Sequence, residues 1–156
     1  MSNIYFPDEE LTYNDLYFVC YMIERTARHV KQPNEYVVQH LGREGLERQL
    51  SIAGVQHSLN PEDVVAGWVD EYNLQNGSTD VTKVDTSLTE HVPTDLQMGK
   101  VYARLITSTL QPDENWADAI IRVYESPICH TLDNYNTGAY YEPSYTHTRA
   151  YLQGAF

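Results

Sequence analysis

Apolar residues recur at helical spacing along most of the chain. Leu16, Val19, Cys20, Ile23, Ala27 and Val30 fall on one face of a first helix, and Glu24, Arg28 and Lys31 fall on the other side. Thr12 followed three positions later by Asp15 reads as a capping box, with an acid at the positive helix end, and the helix is expected to stop near Lys31. Tyr13, Tyr17 and Tyr21 form a second stripe beside Arg25, a spacing that suits packing at a core edge.

Pro33 and Asn34 restart the chain, with Asn34 as the expected N-cap of a short helix carrying Tyr36, Val37, Val38 and Leu41 and stopped by Gly42. A third helix is expected from Arg43 to Ala53, broken by Gly54, with Glu44 four residues ahead of Arg48. Asn60 and Pro61 then supply a cap and a first-turn proline for a helix carrying Val64, Val65, Trp68, Val69 and Tyr72. From Gln75 to Thr94 the helical stripe disappears, and the acids and hydroxyls there resemble a solvated connection in which DVTKVDTS has room for one brief strand.

Thr94 can cap a fifth helix with Leu96, Val101, Leu105, Ile106 and Leu110 as its apolar stripe, closed by Pro112. Asp113 is expected to cap a sixth that carries Trp116, Ile120, Val123 and Tyr124, and Ser126-Pro127 to start a short helix through Leu132. A last helix spans about Pro143 to Gln153, ended by Gly154. The fold class is therefore mainly α, a compact bundle of about seven or eight short helices in one or two small lobes. Residues 1–74 make an N-terminal helical unit, 75–93 a linker or long loop, and 94–156 a C-terminal Tyr-rich helical unit.

The string LYFVCYMIERTARHVKQPNEYVVQHLGREGLERQL, continuing through SLNPEDVVAGWVDEY, resembles a short uncharacterised family of helical bacterial proteins over residues 10–74. The likeness lies in an aromatic-rich first helix ending in Ile23-Glu24, a short helix pair and a late acidic-apolar segment. The family's leucine-histidine pair before that segment is replaced here by His57-Ser58-Leu59. Some members are thought to sit beside genes for ADP-ribosyltransferase-like toxins, so the resemblance implies an accessory or antitoxin-like role and assigns no functional residue.

Composition narrows the function classes. Twenty-two acids against ten bases give a formal charge of −12, which repels phosphate backbones and anionic membranes. Direct nucleic-acid binding and membrane binding are not expected, and a basic protein partner would be drawn to such a surface. The N-terminus lacks the basic start and apolar core of a signal peptide, and Cys20 and Cys129 are not spaced as a pair, which together suggest a reducing cytoplasm.

Chemistry-bearing residues concentrate between Tyr124 and Phe156, which hold six of the thirteen tyrosines. Cys129 beside His130 invites a thiol-nucleophile reading, but adjacent helical residues point about 100° apart, so the base would have to be His91 or His147. A helix start at Ser126-Pro127 would lower the thiol pKa if Cys129 faced the free amides. No metal-ligand spacing or phosphate loop is present, and no metal or cofactor is expected. The expected binding residues are Tyr135, Tyr140, Tyr141, Tyr145 and Tyr151, with Asn134 and Asn136 in the intervening turn. Tyrosine offers contact area with a polar handle, so these side chains either form an interface or seal a core. The reading is a non-enzymatic acidic helical interaction protein, antitoxin-like or inhibitory, that binds a protein partner or itself. Its rival is a small ligand-binding protein or enzyme with a Tyr-lined pocket near Cys129 and His130.

Overall fold

Thr12 starts the first helix as its spacing predicts. In the computed structural model, which describes residues Met1–Phe156, Thr12 Oγ1 accepts from the Asp15 amide at 3.4 Å and Asp15 Oδ2 accepts from the Thr12 amide at 2.8 Å. Helix α1 (Tyr13–Val30) ends where Lys31 turns left-handed at φ 55°. Its expected apolar face is buried throughout. The other side departs from expectation: Glu24 is only 1 % exposed, because α1 lies between α2, α3 and α4 and Asn34 and Tyr135 cover its carboxylate.

Helix α2 (Asn34–Gln56) is two helical segments joined at Gly42, whose φ 65° and ψ −178° interrupt it at the expected position. Pro33, not Asn34, occupies the N-cap, since the Asn34 side chain points inward to carboxylates instead. Helix α3 (Pro61–Glu71) begins as predicted, with Asn60 Oδ1 accepting from the Glu62 amide at 3.0 Å. Helix α4 (Asp95–Ser108) opens with a capping box between Thr94 and Gln97. Leu105 and Ile106 are buried with Met98 and Tyr102, whereas Leu96 in the first turn and Leu110 beyond the last are exposed.

Helix α5 (Trp116–Tyr124) is capped by Asn115, whose Oδ1 takes the Asp118 amide at 2.9 Å. Asp113 instead sits in a left-handed turn at φ 62°. Helix α6 (Cys129–Leu132) is a single turn that starts after Ile128, so Ser126-Pro127 precede it without capping it. A 3-10 turn (Ala139–Tyr141) leads to α7 (Ser144–Gln153), closed by left-handed Gly154 at φ 83°.

The connection at 75–93 is a strap on the core and contains no strand. Val81, Val84 and Val92 pack on the core, and the amides of Gly77 and Thr79 donate to the carbonyls of Val30 and Lys31 at 2.8 and 2.9 Å. Asp80 and Asp85 fold the segment locally by accepting from Thr82 and Ser87, which removes the alternating pattern a strand needs. The strap joins two parts of one core, because a single cluster of buried apolar side chains runs from Leu16 to Ala150. Helices α1 and α4 cross so closely that a Cβ on Gly99 would lie 2.8 Å from the Tyr21 backbone. No helix is long and apolar enough to cross a membrane.

Candidate functional site

The seven candidate binding residues separate into an inner and an outer group. Tyr135 is 2 % exposed, and its hydroxyl donates to Glu24 Oε2 at 2.8 Å and accepts from Arg28 Nη2 at 3.2 Å. The Arg28 guanidinium lies 5.4 Å from the ring centroid, adding a cation-π contact. Tyr140 is half-buried, edge-on to Tyr135 and stacked on His91. Tyr151 is half-buried too, and its hydroxyl accepts from Arg122 Nη1 at 2.7 Å. Asn134 Oδ1 accepts from the Asn136 amide, and Asn136 Oδ1 accepts from the Asp85 amide at 2.6 Å, which fastens the strap to the turn. Of the five tyrosines, Tyr141 and Tyr145 alone reach outward, at 82 % and 70 % exposed, and Asn134 is exposed in the turn.

The inner group belongs to a buried polar cluster. Asn34 Nδ2 donates to Glu24 Oε1 at 2.9 Å and to Asp133 Oδ2 at 3.3 Å, so one amide nitrogen bridges two carboxyls. Tyr102 donates to Asp133 Oδ1 at 2.6 Å, and Arg28 Nε donates to Glu24 Oε2 at 2.8 Å while its Nη2 reaches the Pro93 carbonyl at 2.9 Å. Burial and then the Glu24 charge push the Asp133 carboxyl up to about 8, even though the residue keeps some surface in contact with solvent. Asp133 therefore holds its proton more readily than an ordinary carboxyl, and Arg28 and Glu24 form the cluster's direct ion pair at 2.8 Å. Burial also raises the Tyr102 and Tyr124 hydroxyls well above the usual phenol value, and their rings stack at 4.1 Å.

Sequence reasoning placed Glu24 on the polar side and missed Tyr102 and the bridging role of Asn34. One signal was present: Cys20, Glu24 and Ala27 are spaced four and three apart, which sets Glu24 on the apolar stripe. Nothing local marks Asp133 as its neighbour.

The cysteines are enclosed. Cys129 Sγ donates to the Val123 carbonyl at 3.0 Å, and burial pushes its thiol up to about 11, contrary to the expected lowering by a helix start. The reason is local: α6 is one turn long, and the sulfur points to a carbonyl. Burial lifts Cys20 to about 12. His130 is exposed, while His147 is buried with Nε2 2.7 Å from the Ala139 carbonyl, so the structure does not assemble Cys129, His130 and His147 into a hydrogen-bonded set. No three histidine, cysteine or acidic side chains converge as a metal-holding group.

The outer group stands over two adjoining hollows that meet at Ser144. The first, between α4 and the 3-10 turn, is lined by Lys100, Arg104, Tyr140, Tyr141 and Glu142; the second, along α7, by Tyr145, Arg149 and Leu152. Leu152 is 71 % exposed. Arg104 also lies beside Tyr13, whose hydroxyl burial raises and Arg104 holds back. Compared with known proteins, the chain matches no family model, has no significant similarity to a curated protein and none to a solved structure. The resemblance of residues 10–74 to a helical bacterial family therefore assigns nothing further, and the functional reading rests on the residues themselves.

Proposed function

We propose that this chain is a non-enzymatic helical interaction protein that holds a protein partner, or a second copy of itself, through the outer tyrosine face. The observation that carries this reading is the division of labour among the C-terminal tyrosines. Tyr135 and Tyr151 have hydroxyls bound inside the fold, whereas Tyr141 and Tyr145, near Leu152, lie open with hydroxyls that make no hydrogen bond within the chain. Large aromatic rings left exposed together are the side chains that interfaces use as anchors. An antitoxin-like or inhibitory role is the most specific form of the proposal.

A small-molecule or enzymatic role near Cys129 and His130 has less support, because the thiol is enclosed and its hydrogen bond goes to a backbone carbonyl. The deciding experiment compares wild type with Tyr141→Ala/Tyr145→Ala, using crosslinking and mass spectrometry on protein expressed in its native host. The expected result is a partner, or a homo-oligomer, crosslinked to wild type and lost from the variant at unchanged melting temperature. A strictly monomeric wild type that crosslinks to nothing, or a variant that keeps every partner, sinks the proposal.

A further inference from the structure

The chain carries ten lysines and arginines. Six of them, Arg25, Arg28, Lys31, Arg43, Arg48 and Arg122, are held by carboxylates within 4.0 Å. That leaves Lys83, Lys100, Arg104 and Arg149 without an acidic partner. Three of these four are exposed on the tyrosine face: Lys100 and Arg104 in the hollow under Tyr141, and Arg149 in the hollow beside Tyr145 and Leu152. Glu142 is the single carboxylate lining either hollow. Charge on this face thus runs three to one positive, in a protein whose acids outnumber its bases by more than two to one.

Resting on the reading of this face as the partner surface, we propose that its occupant is an acidic protein segment, with carboxylates for Lys100, Arg104 and Arg149 and an apolar side chain seated against Tyr141, Tyr145 and Leu152. Arginine presents a planar fork that matches a carboxylate in two hydrogen bonds, and the rings and leucine give the affinity that exposed ion pairs alone do not. The net charge of −12 separates this occupant from a nucleic acid. A continuous phosphate track would run past the cations onto the acidic remainder of the surface, whereas a short peptide meets only the patch. Attraction of a basic partner, which the overall charge alone suggests, would have to bypass the face that carries the two most exposed tyrosines, Tyr141 and Tyr145.

The test is a selection of random dodecapeptides displayed on phage against the full-length protein, followed by anisotropy measurements on labelled synthetic versions of the enriched sequences. The expected result is peptides of net negative charge with at least one large apolar residue. Their binding should fall about tenfold or more in Arg104→Glu/Arg149→Glu and weaken as salt rises from about 0.05 to about 0.3 M, because the cations are exposed to screening. Lys83→Glu, which reverses the one unpaired cation outside the face, should leave binding within about twofold. Enriched peptides that are neutral or basic yet depend on Tyr141 and Tyr145 overturn the acidic partner and leave the interaction face standing. Enriched peptides indifferent to Tyr141→Ala/Tyr145→Ala remove both. A single-stranded oligonucleotide of equal charge that binds more tightly than the peptides replaces the protein segment with nucleic acid and overturns the proposal.

Discussion

The hydroxyl of Tyr135 donates to Oε2 of Glu24 at 2.8 Å, although 111 positions of sequence separate the two residues. Around that bond the first helix, the start of α2 and the turn after α6 are locked together by the buried side chains of Glu24, Asn34 and Tyr135 and the partly buried ones of Arg28 and Asp133. A buried carboxylate tolerates this only while its hydrogen bonds are complete.

Tyr135→Phe removes the donor and leaves Glu24 with Arg28 and Asn34. The expected loss is about 1.5–3 kcal/mol, the usual cost of a hydrogen bond to a charged group, or roughly 3–12 °C in Tm for a chain of this size. Tyr141→Ala, at an exposed position with no internal bond, should stay within about 0.5 kcal/mol of wild type. Urea denaturation of the two variants checks the contrast, and equal losses would show that the two tyrosines are not differently employed.

Asp133 gives the fold a pH dependence of unusual sign for a carboxyl. Its folded pKa of about 8 lies above the ordinary unfolded value of about 3.9, so between those limits the native state holds a proton that the unfolded chain has released. This group's contribution is greatest below pH 4 and declines as pH rises through 8. Asp133→Asn keeps an acceptor for Tyr102 and has no proton to lose. The stability of wild type relative to Asp133→Asn should therefore fall from pH 5 to about pH 8 and level off above it in urea titrations, and a pH-independent difference would contradict the assignment.

Neither thiol should react in the native protein. With Cys129 pushed up to about 11 and Cys20 to about 12, the thiolate fraction near pH 7.5 is very small and both sulfurs are enclosed. Iodoacetamide is expected to add no label natively and two in urea, read by intact mass. Rapid native labelling of Cys129 would revive the nucleophile reading.

Two glycines of α2 should respond in opposite directions. Gly42 holds φ 65° with ψ −178°, a region that side chains with a Cβ avoid, so Gly42→Ala is expected to cost about 1–3 kcal/mol. Gly54 is an exposed helical position where an added Cβ meets nothing within 4 Å, so Gly54→Ala should stabilise by about 0.5–1 kcal/mol. Thermal melts of both variants distinguish them by sign.

The local chemistry of the fold was legible because its signals are local. Thr12, Asn60, Thr94, Gly42 and Gly154 each begin or break a helix through bonds or dihedrals within a few residues. Asn34 and Asp113 misled for the same reason: both are good caps by type, but Asn34 is drawn to Glu24 and Asp133, and Asn115 lies better placed for the α5 amides. The candidate site was legible only as a composition. A tyrosine anchored to Arg122 and a tyrosine open to solvent look alike in sequence, because the arginine that decides between them arrives from another helix.

Asn34 touches both carboxyls with a single nitrogen, and its two partners lie on opposite sides of it along the chain. During synthesis Glu24, Arg28 and Asn34 leave the ribosome about a hundred residues before Asp133 and Tyr135, so until then the Glu24 carboxylate has Arg28 and Asn34 but not the Tyr135 hydroxyl. A nascent chain stopped before Asp133 is thus a species in which the buried polar cluster is still open on one side.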